Sequence, residues 1–145
     1  MTSKFFRSFA GLFLCVTLLS FTETRPGGEG FVILVNNKPV LQQFGDDMKV
    51  IKTLKLDPSM ANGQLSVRYH HCGKVGKNRT IALKDAKENI LRQWKFTDTR
   101  EAATSMNCNV KEILALLNGK YQTVKLFYTS TELPQGRVLA SLASS

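Results

Sequence analysis

Short apolar segments separated by turn residues are the feature that most constrains how this chain can fold. Between about residues 31 and 143, each such segment is followed within a few residues by Gly, Pro, Asn or Asp. In LSVRYHHC (65–72), apolar and polar residues alternate, which is typical of a half-buried strand in an antiparallel sheet. The pattern therefore predicts a mainly β-stranded domain.

One segment has a helical period instead. In NVKEILALLNG, four apolar residues follow the i, i+3, i+4, i+7 spacing of an amphipathic helix: Val110, Ile113, Leu114 and Leu117. Asn109 is the predicted N-cap, Glu112 fits a capping box, and Gly119 can end the helix. The sequence thus predicts one short helix at about 110–118, with its apolar face in the core and its position at one end of the domain.

The number and spacing of the remaining segments predict the architecture. Strand composition occurs at 31–35, 40–44, 50–56, 65–72, 79–85, 90–96, 121–130 and 137–143, whereas TDTREAATSMNC (97–108) has no clear period. Seven or eight short strands with one helix predict an all-β fold, an antiparallel β-sandwich, with a small β-barrel as the alternative. A single domain is expected over 31–143, after a flexible lead-in at 25–30.

The first 24 residues have the pattern of a secretory signal peptide. Lys4 and Arg7 precede an apolar run from about Phe9 to Phe21, and cleavage is predicted near residues 22–24. The run is shorter than the roughly 20 apolar residues that a membrane-spanning helix needs, and no later segment is longer. The mature protein is therefore predicted to be secreted or periplasmic, with no transmembrane segment.

The chain is basic, with 20 Lys and Arg against 11 Asp and Glu and a formal net charge of +9. A positive charge favours an anionic glycan or a lipid surface as partner, and another protein is the further alternative. The charge is spread along the chain without a run of five or six like residues, so nucleic acid is not the expected partner.

The loop GKVGKNR (73–79) supplies a candidate anion-binding surface made of His70, Lys74, Lys77 and Arg79. It is not a phosphate-binding loop, because only two residues separate its glycines and a strand rather than a helix follows. Asn78 also begins an Asn-Arg-Thr glycosylation sequon, which matters only in a eukaryotic host.

Two histidines and the two cysteines that follow the predicted signal peptide, which itself contains Cys15, allow further hypotheses. A copper or zinc site could use His70, His71, Met106 and Cys108, but adjacent strand residues point to opposite faces, so the two histidines would need a bulge to converge. In an oxidising compartment, Cys72 and Cys108 are instead predicted to form a disulfide. Such a bridge would stabilise the fold by about 4 kcal/mol in the chain-entropy model.

No local motif of a known catalytic centre is present, and no catalytic residue or cofactor is predicted. The leading hypothesis is an exported, non-enzymatic β-sandwich that acts as a binding or structural module and contacts an anionic or protein partner through basic loops. A metal-handling protein is one alternative. A hydrolase, whose site residues meet only in the folded chain, is the other.

Overall fold

The computed structural model describes residues 28–145, which form nine β-strands, one α-helix and two short 3-10 turns. The strands are β1 Gly30–Val35, β2 Lys38–Phe44, β3 Thr53–Leu56, β4 Gln64–His70, β5 Thr80–Lys84, β6 Ile90–Lys95, β7 Met106–Asn109, β8 Thr123–Thr129 and β9 Arg137–Ser144. Helix α1 spans Val110–Leu117, and the 3-10 turns span Gly45–Lys49 and Pro58–Met60.

The strands form two sheets, and the predicted β-sandwich with one helix is confirmed. The four-stranded sheet has the order β2-β1-β4-β7 and the five-stranded sheet the order β3-β9-β8-β5-β6. The described residues do not close into a barrel. All neighbouring strands are antiparallel except β3, which runs parallel to β9, so the expectation of a wholly antiparallel sandwich was wrong at one edge.

One strand lies where none was predicted. Strand β7 is only four residues long and lies in the segment expected to be irregular. It pairs with β4, with Met106 opposite Val67 and Cys108 opposite Leu65. Met106 and Cys108 are buried whereas the alternate residues are exposed, so β7 does follow the period-two rule, but over too short a span to stand out in the sequence.

The turn between β1 and β2 is a two-residue hairpin at Asn36 and Asn37, with φ of 51° and 65°. Asparagine tolerates this left-handed backbone better than most residues, and positive φ at both positions matches the twist of an antiparallel hairpin. The predicted turn at NNKP is therefore present with the residues that its geometry requires.

The core lies between the two sheets and is closed at one end by α1. Asn109 caps this helix, because its side chain accepts a hydrogen bond from the Lys111 amide. The residues at the predicted core positions are buried: Val110, Ile113, Leu114 and Leu117. Each buried aliphatic side chain stabilises the fold by about 1.5–3 kcal/mol. The packing of α1 therefore stabilises the contact between the two sheets.

The predicted signal peptide, residues 1–24, lies outside the described part of the chain. Within residues 28–145, no helix has the length and apolar character that crossing a membrane requires.

Candidate functional site

The end of the sandwich opposite α1 is closed by polar side chains, which we call the polar end: Tyr69, His71, Arg79, Tyr128 and Ser130. The inward face of β4 continues past Tyr69 to His71, whose side chain is only 8% exposed. His71 Nε2 lies 2.8 Å from Tyr128 Oη and 3.3 Å from Ser130 Oγ. The Tyr69 and Tyr128 rings stack with centroids 4.3 Å apart. The two sheets are therefore joined here by a hydrogen-bonded aromatic cluster.

Charged groups surround this cluster. Tyr69 Oη donates a hydrogen bond to Glu29 Oε1, and Arg137 Nη2 lies 3.2 Å from Glu29 Oε2. Arg79 is 6% exposed, and its Nη1 and Nη2 donate to the carbonyl oxygens of Thr104 and Thr97 at 2.9 and 3.1 Å. These two bonds fix the 97–104 loop onto the end of the sandwich, whereas the buried Arg79 Nε has no hydrogen-bond partner within residues 28–145.

Burial controls the protonation states at the polar end. It lowers the pKa of His71, because the charged imidazolium would lose its hydration. The carboxylates of Glu132 and Glu29 raise this pKa, whereas the positive charge of Arg79 lowers it further. Burial also raises the pKa of Tyr128 to about 12. His71 is thus a neutral imidazole between two hydroxyl groups at neutral pH. Ser130 Oγ meanwhile accepts a hydrogen bond from the Leu133 amide, a pattern that supports packing rather than nucleophilic activation.

A shallow cleft of about 250 Å³ lies beside His71 and is lined by Glu29, His71, Cys72, Lys74, Glu132 and Leu133. Its two carboxylates are already engaged. Glu29 binds Tyr69 and Arg137, and Glu132 Oε2 accepts a hydrogen bond from the Lys77 amide at 2.9 Å. The cleft therefore offers few free groups for a ligand.

The predicted anion-binding surface on the 73–79 loop is not formed. Arg79 precedes β5 and lies on the inward side of that strand, opposite in direction to Thr80, so its guanidinium is buried. His70 lies on the outer face of β4, against the Phe44 ring. Of the four predicted residues, only Lys74 and Lys77 are exposed. The four residues do not converge on one site.

The structure also separates the predicted metal ligands. His71 faces inward and His70 outward, as strand alternation predicts. Met106 lies opposite Val67, four residues along β4 from His71, which corresponds to about 13 Å. Within residues 28–145, no three His, Cys, Asp or Glu side chains lie close enough to hold a metal ion.

The predicted disulfide is likewise not formed: Cys72 is an exposed free thiol and Cys108 a buried one. Cys108 is paired with Leu65 at the α1 end of β4, whereas Cys72 follows the other end of that strand. About seven residues of extended chain separate the two positions, or roughly 20 Å, whereas bonded cysteines have Cα atoms within about 7 Å. The register of β7 therefore excludes the bridge.

A second surface was not predicted from the sequence. The outer face of the five-stranded sheet carries four lysines, and we call this surface the lysine face: Lys55, Lys84, Lys95 and Lys125. None of the strands that form this sheet in the described chain contains Asp or Glu. Glu88, in the turn between β5 and β6, contacts Lys125 and lies 3.7 Å from Lys84. Within residues 28–145, Lys55 and Lys95 form no ion pair.

Hydroxyl groups share this face with the lysines. The strand register places five Ser or Thr residues on the same face: Thr53, Thr80, Thr123, Thr129 and Ser141. At the end of the face nearest the polar end, a cavity of about 230 Å³ is lined by Asn78, Arg79, Thr80, Lys95 and Phe96. Thr80 and Lys95 are register partners on β5 and β6.

The outer face of the four-stranded sheet has a different character. Within residues 28–145, Arg68 is the one charged residue on this face away from the hairpin turn, and Arg68 Nε donates to Ser105 Oγ at 2.8 Å. In both sheets, strand alternation sends every second residue to the outer face. The two outer faces therefore differ in charge because different residues occupy those outward positions. The spacing of lysines in KTLKL, TIALK and TVKLF could have indicated this surface, but only if the strand order had been known.

Neither the protein-family models nor the curated proteins contain a match to this chain.

Proposed function

We propose that this protein is an exported, non-enzymatic binding module that holds an anionic partner on the lysine face. The observation that carries the proposal is the lack of Asp and Glu in the five strands of that sheet, which present four lysines on this face. A surface of one sign attracts partners of the opposite sign and speeds their association. The predicted signal peptide supports a place outside the cytoplasm.

The lysine face is better suited to binding than the cleft at the polar end. Lys55 and Lys95 are exposed and have no carboxylate partner in the described chain, so an anion that approaches them displaces only water. In the cleft, by contrast, Glu29 and Glu132 repel anions and are themselves hydrogen-bonded. The polar end is consistent with a structural role, because each of its hydroxyl and imidazole groups already bonds a neighbour in the fold.

Retention on a synthetic resin that carries sulfonate groups but no sugar tests this proposal. We expect the double variant K55E/K95E to elute at clearly lower salt than the unchanged protein. The matched control is K38E/K111E, which makes the same change in net charge at exposed lysines outside the lysine face. Equal loss of retention in both double variants would show that net charge alone determines binding, and would contradict a specific face.

A further inference from the structure

The lysines of the lysine face are arranged along a diagonal of the five-stranded sheet. Lys125 lies beside Lys84 on the neighbouring strand, and Lys55 and Lys95 lie two strands away on either side. With strands about 4.8 Å apart and a rise of about 3.3 Å per residue, Lys55 is roughly 12 Å from Lys125, and Lys95 roughly 16 Å. The positive charges therefore follow a line of roughly 28 Å, with wide gaps between them.

Hydroxyl groups lie in the same register rows as the lysines, whereas the row between Lys125 and Lys95 contains Phe127, Ala82 and Gln93. Thr53 and Ser141 lie in the same register row as Lys125, and Thr123 lies in the row of Lys55. Thr129 and Thr80 lie in the row of Lys95, although Thr80 is only 9% exposed. A partner that crosses this face thus meets hydrogen-bonding groups more often than charges, which suits a polymer with many hydroxyl groups and sparse anionic groups.

The same surface is poorly suited to a single-stranded nucleic acid. Proteins that bind single-stranded nucleic acid hold its bases by stacking them on exposed aromatic rings. Phe127 is the aromatic residue at the centre of the face, but Lys84 Nζ lies 3.5 Å from its ring centroid. Gly136 packs against the same ring so closely that an added Cβ would lie 2.2 Å from it. Both contacts occupy the surface on which a base would stack.

A membrane surface is also a poor match. Peripheral membrane segments combine a dense group of basic residues with large apolar side chains that enter the bilayer. Three large apolar side chains are more than half exposed in the described chain, and all lie at the margins of this sheet: Ile90 on the edge strand β6, and Val50 and Ile51 just before the other edge strand, β3. Lys84 and Lys125 are partly neutralised by Glu88, which lowers the local charge density.

We propose that the anionic partner is an acidic polysaccharide, a chain of sugars that carries carboxylate or sulfate groups at intervals, bound along the diagonal from Lys55 to Lys95. This inference rests on the proposed function, since it names the partner of the same face. Lysines pair with the charged groups, and the threonine and serine hydroxyls bond the sugar hydroxyls between them. The cavity lined by Asn78, Thr80 and Lys95 receives one charged group at the end of the chain.

The test compares four probes with the full mature protein at low and moderate salt, about 50 and 150 mM, at which exposed charges are increasingly screened. The probes are polygalacturonate, a sulfated glycan, a single-stranded oligonucleotide, and vesicles with a minority of anionic lipid. We expect one or both polysaccharides to stay bound at the higher salt, and the oligonucleotide and vesicles to dissociate. Tighter binding of the oligonucleotide or the vesicles than of either polysaccharide would overturn the inference.

A second set of variants asks whether the sugar itself is recognised. The triple variant T53V/T123V/T129V keeps the charge, the side-chain shape and the β-branched character of each residue while removing three hydroxyl groups. We expect it to bind the preferred polysaccharide about tenfold more weakly, with the same dependence on salt, whereas K55A/K95A reduces that dependence. Thermal unfolding of each variant confirms that it is folded.

These outcomes separate the inference from the proposed function. If the triple variant binds as tightly as the unchanged protein, the polymer is held by charge alone and the inference fails. The proposal that the protein binds an anionic partner is then still supported. If the unchanged protein binds the sugar-free sulfonate resin but neither polysaccharide, the inference fails in the same way. If it binds none of these anionic probes, both proposals fail.

Discussion

The two ends of the sandwich are closed by different means. At one end α1 inserts Val110, Ile113 and Leu117 between the sheets, and Cys108 lies in the same apolar layer. At the other end His71, Tyr128 and Ser130 meet through hydrogen bonds, with Arg79 buried beside them. The apolar end is stabilised mainly by burial, which depends little on exact geometry, whereas the polar end depends on specific partners and on their protonation state.

The largest expected difference between the two ends is the reactivity of their cysteines. Burial raises the pKa of the Cys108 thiol to about 12, so almost none of the reactive thiolate is present at pH 8. Cys72 is exposed. We expect iodoacetamide to modify Cys72 completely in the folded mature chain while Cys108 stays unmodified, and both to react in denaturant. Mass spectrometry measures this directly, and equal rates for the two thiols in the folded protein would refute the burial of Cys108.

A cavity at the apolar end should cost more stability than any single hydrogen bond at the polar end. Replacing Ile113, which is fully buried, with Ala is expected to lower the free energy of unfolding by about 3 kcal/mol. The control Lys111→Ala, at an exposed position on the same helix, should change it by less than about 0.5 kcal/mol. Urea unfolding gives both values, and a small effect at Ile113 would mean that α1 does not close the core.

At the polar end, Tyr128→Phe removes the hydroxyl that lies 2.8 Å from His71 Nε2 and leaves only the longer contact with Ser130. We expect a loss of about 1 kcal/mol, the typical net contribution of a buried hydrogen bond. Tyr121→Phe is the matched control, because the Tyr121 side chain is only half-buried and its hydroxyl forms no hydrogen bond within residues 28–145. If both variants lose the same free energy in urea unfolding, the His71–Tyr128 contact contributes nothing.

The smallest expected effect is a pH dependence that belongs mainly to the polar end. Since burial lowers the pKa of His71 in the folded protein, the unfolded chain binds more protons just below its own pKa of about 6.5. The free energy of unfolding should therefore decrease as the pH drops below about 6.5. Above that pH, the titration of His71 should not change it. The His71→Gln variant should flatten that part of the profile more than His70→Gln, because His70 is only partly buried. An unchanged profile in H71Q would show that His71 is not buried as a neutral group.

The contrast between the ends also explains what could be predicted from the sequence. The apolar end is closed by α1, which has a local sequence pattern. The i, i+3, i+4, i+7 spacing and the Asn109 cap predicted the bounds of α1 almost to the residue. The polar end joins residues far apart in the chain, such as Glu29 with Arg137. No local spacing indicates such a pair, and the burial of Arg79 follows from the side of β5 on which it lies.

The same reason applies to the binding surface. Each lysine of the lysine face could be recognised as a strand residue, but the surface exists only because β9 lies between β3 and β8. The predicted loop surface failed for the opposite reason: its residues are close in sequence, yet alternation sends Arg79 inward and His70 to the outer face of the other sheet. Proximity along the chain was therefore a poor guide to proximity in space.

The parallel pairing of β3 with β9 has a consequence for how the molecule forms. Thr53 pairs with Ser141, so roughly 90 residues must be ordered before β3 gains its sheet partner. Pairings of such long sequence separation slow folding, and until β9 is in place, β3 and β8 each present an unpaired edge to other chains. The chain is thus most prone to aggregate before β9 is added, and a delay at that step favours domain swapping.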